Sequence, residues 1–314
     1  MQVFEEELAK VRPQKETLLT IGVFDGVHLG HQQLLAHLRD EAMRLGCLSG
    51  VVTFKSNPKA VLSSENKLFW LNDLETRTSL FRSLGIDVVV ALPFNPELAQ
   101  LTARRFVQLL KEHLKMRGLI IGPDFALGRD REGDAEKLRL LGKEIGFSVE
   151  VIPAVVIDGQ VVSSSAIRQA LAQGDMSSVE KLFGRSFSLS GQVVSGDRRG
   201  RDLGFPTANL EVKQEQALPS DGVYVTITHV GHKPVPSVTN IGVRPTFEGS
   251  KRVVETYLLD YKAELLGQRI TIQLLAKLRD ERRFDTTEEL KAQIARDIAQ
   301  AKQILSERTK QSGV

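Results

Sequence analysis

The sequence is poor in several residue types that mark common functional classes. It holds 1 cysteine in 314 residues, so it has no internal disulfide and no Cys-based metal cluster. That residue, Cys47, lies in an apolar stretch and reads as a small buried hydrophobe. Aromatic residues make up 6% of the chain and the net charge is only +3, which argues against a nucleic-acid-binding surface. A modest positive field still suits small anionic substrates. No apolar run is long enough to span a bilayer. The first residues, Met-Gln-Val-Phe-Glu-Glu-Glu, lack the basic and apolar regions of a secretory signal, so the expected location is cytoplasmic. Neither a GxxxxGK[ST] loop nor an HRD segment is present, so neither familiar kinase scaffold applies.

What is present is the composition of a soluble globular protein, 41% hydrophobic and 26% charged, long enough for two domains. In the first half, helical stretches close on Gly46, Gly85, Gly118 and Gly146, and each glycine precedes a short Val/Ile-rich run. A glycine supplies the left-handed residue that stops a helix, and apolar runs spaced by helices predict a parallel sheet with crossover helices. Leu34, Leu35, Leu38, Ala42 and Leu45 share one face of the first of these helices. Residues 1–185 are therefore expected to form an open α/β domain.

The second half, 186–314, changes period. Val223, Val225 and Ile227 alternate with Tyr224 and Thr226, and Ile270, Ile272 and Leu274 alternate with Thr271 and Gln273. That pattern predicts half-buried antiparallel strands. A last helix is signalled by the capping-box pair Thr286 and Glu289 and by the stripe Ile294, Ile298, Ala301 and Leu305. A β-barrel with a packed C-terminal helix is the expected architecture, with the boundary near Gly184-Arg185-Ser186.

The densest motif is the run Gly22-Val23-Phe24-Asp25-Gly26-Val27-His28-Leu29-Gly30-His31, which leaves the first strand and opens a helix. Glycines admit a ligand close to the backbone, and a helix N-terminus favours phosphate. His28 and His31, three apart, can both face one anion and stabilise a transferring phosphoryl group. Metal binding fits less well, because no Cys or carboxylate completes a ligand set. Ser163, Ser164 and Ser165 read as an N-cap that would make a second phosphate-binding terminus, with Arg168 one turn in.

The second half carries its own cluster, from Gly196 through Gly200, Arg201 and Gly204 to Pro206-Thr207-Ala208-Asn209. Glycines and basic residues in one loop suggest a phosphate cradle. Thr207 and Asn209 offer neutral oxygen ligands for Mg²⁺, with nucleotide phosphates and water completing the shell.

These segments together resemble the bacterial bifunctional riboflavin kinase/FAD synthetase family. The GxFDGxHxGH run looks like the HxGH signature of nucleotidyltransferases. Thr53-Phe54 with Pro58, the Gly122–Gly133 loop and the Ser163–Arg168 segment are similar to that family's further motifs. Pro206–Asn209, Asn240-Ile241-Gly242-Val243-Arg244-Pro245-Thr246-Phe247, Gly222-Val223-Tyr224 and Leu278-Arg279-Asp280 are similar to its kinase motifs.

The resemblance implies an HxGH, Rossmann-like nucleotidyltransferase domain followed by a riboflavin kinase barrel. The first would make FAD from FMN and ATP, and the second FMN from riboflavin and ATP. It also implies that His28, His31, Gly22, Phe24, Gly30, Ser163, Ser164, Ser165 and Arg168 handle ATP. Asp124, Phe125 and Arg131 then lie on the FMN side. In the kinase, Gly196, Gly200, Arg201, Gly204, Thr207 and Asn209 would bind Mg-ATP, and Asn240, Arg244 and Arg279 the flavin.

The two reactions differ in what they require. The FMN phosphate has a second pKa of about 6 and needs no base, whereas the riboflavin hydroxyl gains from proton removal. Glu255, in the segment that resembles the family's catalytic glutamate, is the expected base.

The sequence departs from the family at Asn57, where histidine is expected, at Ser165, where threonine is expected, and at Tyr257, where histidine is frequent. Ser165 keeps the hydroxyl, but Asn57 supports a second reading, a riboflavin kinase with a weak or inactive adenylyltransferase domain, separated by assaying FAD and pyrophosphate. A flavin carrier without turnover is a third, separated by ATP consumption.

Overall fold

The structure, a computed structural model, describes residues 3–58, 61, 69–196, 200, 203–246 and 249–311. The chain divides into two compact units, Met1–Ser164 and Ser165–Val314.

In the first unit, α1 (Val3–Lys10), β1 (Thr17–Ile21), α2 (Leu29–Arg44), β2 (Leu48–Phe54), α3 (Leu74–Ser83) and β3 (Val88–Leu92) come in sequence. They are followed by α4 (Pro96–Ala99), α5 (Ala103–Leu114), β4 (Met116–Ile121), α6 (Ala135–Ile145) and β5 (Ser148–Val151). The sheet is parallel with strand order β3-β2-β1-β4-β5. Successive residues of β1 serve opposite faces: Leu18 packs with Leu35, Leu38 and Phe81, and Leu19 with Phe106, Val107 and Leu110. Both faces are covered, which is why β1 reads as an unbroken buried run.

The strand order reverses direction about β1 and β4. In open α/β sheets, ligands bind at the carboxyl ends of the strands at such a switch point. The turn after β1 and the loop after β4 both emerge there. A small hairpin, β6 (Val156–Ile157) with β7 (Gln160–Val161), follows β5.

The helix stops are left-handed at Gly46, Gly85 and Gly146, as expected. Gly118 differs: it is a residue of β4, and α5 ends instead on left-handed Lys115. Gly118 is needed for packing rather than for a turn, because a Cβ there would collide with Ser148 on the adjacent strand.

The second unit holds α7 (Ser164–Gln173), most of which lies beyond the division, and α8 (Met176–Phe183). Strands β8 (Phe187–Val194), β9 (Ala208–Leu210), β10 (Gly222–Val230), β11 (Lys233–Thr246), β12 (Gly249–Leu258) and β13 (Arg269–Arg279) close into a barrel of order β10-β11-β12-β9-β8-β13. The last helix is α9 (Thr287–Gln311). The Gly184-Arg185-Ser186 segment is the turn between α8 and β8, inside this unit.

β10 is not half-buried. Val223 and Val225 lie under α9 with Val238, Ala301, Ile298 and Leu305, while the alternate residues Tyr224, Thr226 and Thr228 are fully buried on the other face. There the hydroxyls satisfy one another, Thr226 with Ser237 and Thr239 at 2.8 Å each and Thr239 with Thr256 at 3.0 Å. Such a network is how polar groups occupy a barrel interior without the cost of unpaired burial. At the start of α9, Glu289 N–H donates to Thr286 Oγ1 at 3.2 Å, while the Glu289 carboxylate accepts from Asp285 N–H, one residue earlier than a standard capping box.

Candidate active sites

The turn after β1 is strained and tightly braced. Phe24 has φ 50°, Gly26 φ 87° and Val27 φ 44°. A left-handed β-branched residue is an outlier that surrounding structure must hold in place. His28 is the N-cap of α2, and its Nδ1 accepts from His31 N–H at 3.4 Å. The two imidazoles stack with centroids 3.6 Å apart and planes 19° apart, and Phe24 meets His31 edge-on at 5.1 Å. Both rings are thus held side by side at the helix N-terminus, a position that favours an anion. A Cβ on Gly30 would come 3.3 Å from the His28 ring.

Below the turn lies a buried polar layer that the sequence reading did not single out. The Asp25 carboxylate, 3% exposed, accepts from Leu71 N–H at 2.9 Å and Asn72 N–H at 3.3 Å. Arg77, 1% exposed, donates to the Val23 and Phe54 carbonyls and stacks over Trp70 at 4.3 Å. Burial pushes the Arg77 guanidinium below its usual range, and Asp25 and Asp73 oppose that shift. One signal of Arg77 was available: it interrupts the otherwise apolar face Leu74, Leu80, Phe81 and Leu84 of α3. Asn57, standing where histidine was expected, is buried in the same unit.

Ser164, at the start of α7, donates from Oγ to the Asp25 carbonyl at 2.8 Å, so this serine is tied to the histidine turn. Ser163 precedes the helix; Ser165 and Arg168 follow on α7 in the second unit. In the loop after β4, Arg131 Nη2 donates to the Asp124 carbonyl at 2.9 Å, and Phe125 packs on the core of the sheet. These three residues are brought together, and the loop closes on itself through a Leu127–Gly133 bridge.

In the barrel, strand register assembles the second site. Glu255 on β12 lies opposite Asn209 on β9 and opposite Asn240 on β11. Cross-strand partners share a face, so a carboxylate stands between two amides. Thr207 lies two residues before Asn209. Two glycines approach this pair closely: a Cβ on Gly196 would strike the Asn209 amide, and one on Gly200 would lie 3.1 Å from Thr207 Oγ1. Gly204 takes φ 87°. Arg201 lies outside the described residues.

Arg244 reaches Glu255, Nη2 to Oε1 at 2.7 Å. Tyr257 meets Phe205 edge-on at 5.7 Å. Arg279 has a different partner, forking onto buried Asp297 of α9 through Nε at 3.0 Å and Nη2 at 2.9 Å. The Thr207, Asn209 and Glu255 side chains are hard oxygen donors, the type Mg²⁺ takes when phosphates and water complete its shell.

A histidine-flanked turn at the switch point of a parallel sheet, and a barrel presenting a carboxylate between two amides, are the arrangement expected of a two-domain ATP-using transferase. The comparisons make the class specific. The FAD synthetase family model matches residues 10–166 and the riboflavin kinase family model matches residues 183–305. The bifunctional riboflavin kinase/FMN adenylyltransferase of Escherichia coli K12 is 40% identical over 293 residues, 93% of each chain. That of Pseudomonas fluorescens is 40% identical over 298 residues, 94% of this chain and 95% of the other. A crystal structure from Streptococcus pneumoniae, described as a macrolide-efflux protein, shares the fold with a TM-score of 0.88 at 26% identity, covering 96% of this chain and 97% of that one. Among the described residues here, no helix is long and apolar enough to cross a membrane. The chain belongs to the bifunctional riboflavin kinase/FMN adenylyltransferase family, with the two activities that the family name states.

Proposed function

We propose that residues 186–314 transfer the γ-phosphoryl group of Mg-ATP to riboflavin, giving FMN and ADP. Residues 1–185 then join FMN to the adenylyl group of a second ATP, giving FAD and pyrophosphate. The observation that carries this reading is that each unit holds its own cluster of reactive groups: the stacked His28 and His31 in one, and Glu255 between Asn209 and Asn240 in the other.

In adenylyl transfer, the FMN phosphate attacks the α-phosphorus of ATP and pyrophosphate leaves. His28 and His31 donate to the charge that develops there. Gly22, Phe24 and Gly30 shape the turn around the phosphates, and Ser163, Ser164, Ser165 and Arg168 support them. Asp124, Phe125 and Arg131 form the flavin side.

In the kinase, Glu255 takes the proton of the riboflavin hydroxyl as it attacks the γ-phosphorus. Arg244 holds the carboxylate as an acceptor. Gly196, Gly200, Arg201 and Gly204 are assigned to ATP binding, and Asn240, Arg244 and Arg279 to the flavin side. Thr207 and Asn209 would hold Mg²⁺, which when bound neutralises phosphate charge. The proposed location is the cytoplasm.

Incubation of purified protein with riboflavin and Mg-ATP, followed by chromatography of flavins, tests the reading. FMN should appear first and FAD after a lag. Accumulation of FMN with no FAD and no pyrophosphate would leave only the kinase.

A further inference from the structure

We infer that Arg77 is a positioning residue of adenylyl transfer: it ties the carboxyl ends of β1 and β2 together beneath the turn that carries His28 and His31. The inference rests on reading that turn as the adenylyl-transfer site.

Arg77 points from α3 into the protein and is 1% exposed. One guanidinium nitrogen, Nη1, donates to the carbonyl of Val23 and lies 3.3 Å from Thr53 Oγ1. The other, Nη2, donates to the carbonyl of Phe54 at 3.1 Å. Val23 leads directly into left-handed Phe24, and Phe54 is the last residue of β2. A single planar fork therefore spans the ends of two strands, and its flat face stacks on Trp70 at 4.3 Å. Only arginine combines a rigid fork with a stacking face.

Stability alone does not account for this choice. Burying a cation is costly, and an apolar side chain of similar volume would serve packing better. The fork is also incompletely satisfied, because buried Nε makes no hydrogen bond among the described residues. What the residue supplies is geometry at a strained place. The Val23 carbonyl is held from one side by Arg77 and by Thr53 Oγ1 at 3.2 Å. Two residues on, Asp25 is held by its own bonds to Leu71 and Asn72. The backbone between them is fixed before the histidines project from it. Displacement of that backbone would misplace both imidazoles relative to the phosphorus atom.

The test uses the full-length chain and three variants: Arg77→Met, Arg77→Lys and His28→Ala/His31→Ala. FAD synthesis from FMN and Mg-ATP is measured per folded molecule, with riboflavin phosphorylation as the control in the same preparation. For Arg77→Met, kcat for FAD synthesis should fall about a hundredfold, with KM for FMN and ATP within about threefold and kinase activity kept, the cost expected of a misplaced catalytic group. Arg77→Lys, which keeps charge and one donor site, should recover about tenfold of that loss. If Arg77→Met does not fold, Arg77→Lys decides alone: reduced kcat with both KM values kept supports the inference.

Wild-type kcat in the folded variants, or a loss that disappears when corrected for folded protein, overturns it. The double histidine variant separates the two levels. Should it keep FAD synthesis, the reading of the turn itself fails; should it lose FAD synthesis while the Arg77 variants keep it, only the positioning role fails.

Discussion

The two units handle the same cosubstrate through opposite local chemistry. The turn of the first presents donors: two stacked imidazoles at a helix N-terminus, braced from beneath by Asp25 and Arg77. The strand row of the second presents an acceptor, Glu255, set between two amides by β-register and held by Arg244. On the proposed reading, the difference follows from the nucleophile. A phosphate already ionised near neutral pH needs charge stabilisation but no base, whereas an alcohol needs a proton acceptor within reach. The architectures suit these needs. A strand-to-helix turn concentrates N–H groups, and adjacent strands can place a carboxylate at a fixed distance from neutral ligands.

The comparison is broken most forcefully by exchanging which activity is lost. His28→Ala/His31→Ala should lower FAD synthesis by about 10⁴-fold, the product of two donors each worth about 10²-fold, with riboflavin phosphorylation unchanged. Glu255→Gln should do the converse, lowering kinase turnover about 10³-fold and sparing FAD synthesis from supplied FMN. A smaller effect separates stability from chemistry. Asp297→Ala removes the partner of Arg279 inside the second unit, where Asp297 is 3% exposed, and should destabilise that unit by about 3 kcal/mol in denaturant unfolding.

Gly196→Ala sharpens the account of the kinase loop. Its Cβ meets the Asn209 amide, so kcat/KM for Mg-ATP should drop about tenfold, equivalent to ~1–2 kcal/mol of overpacking.

The smallest effect is at the N-cap of α8. Bonds from the Ser178 hydroxyl and N–H hold the Asp175 carboxyl below its usual range. Because the folded value is depressed, its contribution is complete above the unfolded value of about 3.9 and is lost as pH falls through the folded value. Asp175→Ala should therefore cost about 1 kcal/mol near neutral pH and much less in acid, as read from unfolding curves at several pH values.

Much of this molecule is legible in sequence because its signals are local. The buried runs of the parallel sheet, the helix stripe from Leu34 to Ala42 and the histidine turn each occupy one contiguous stretch. Glu255 was found through resemblance, and its place beside Asn209 and Asn240 became visible only with strand register, which joins residues far apart in the chain.

Two kinds of feature escaped. Period two in β10 shows that two faces differ but not that both are buried, so it predicts half-burial where Thr226 in fact joins a buried network with Ser237 and Thr239. Arg77 and Asp25 owe their roles to partners on other elements, Phe54 and Leu71, that no spacing rule connects. Gly118 shows the limit of a punctuation rule: its missing Cβ serves the packing of Ser148 rather than a helix end.

The most direct test of two separate sites is a substrate swap in the Glu255→Gln chain, with flavins separated by chromatography. Given riboflavin and Mg-ATP, it should form FMN, and hence FAD, about 10³-fold more slowly; given FMN and Mg-ATP, it should form FAD at the rate of the unaltered protein. Loss of FAD formation from supplied FMN, in a variant that remains folded, would contradict the independence of the histidine turn from the barrel's carboxylate.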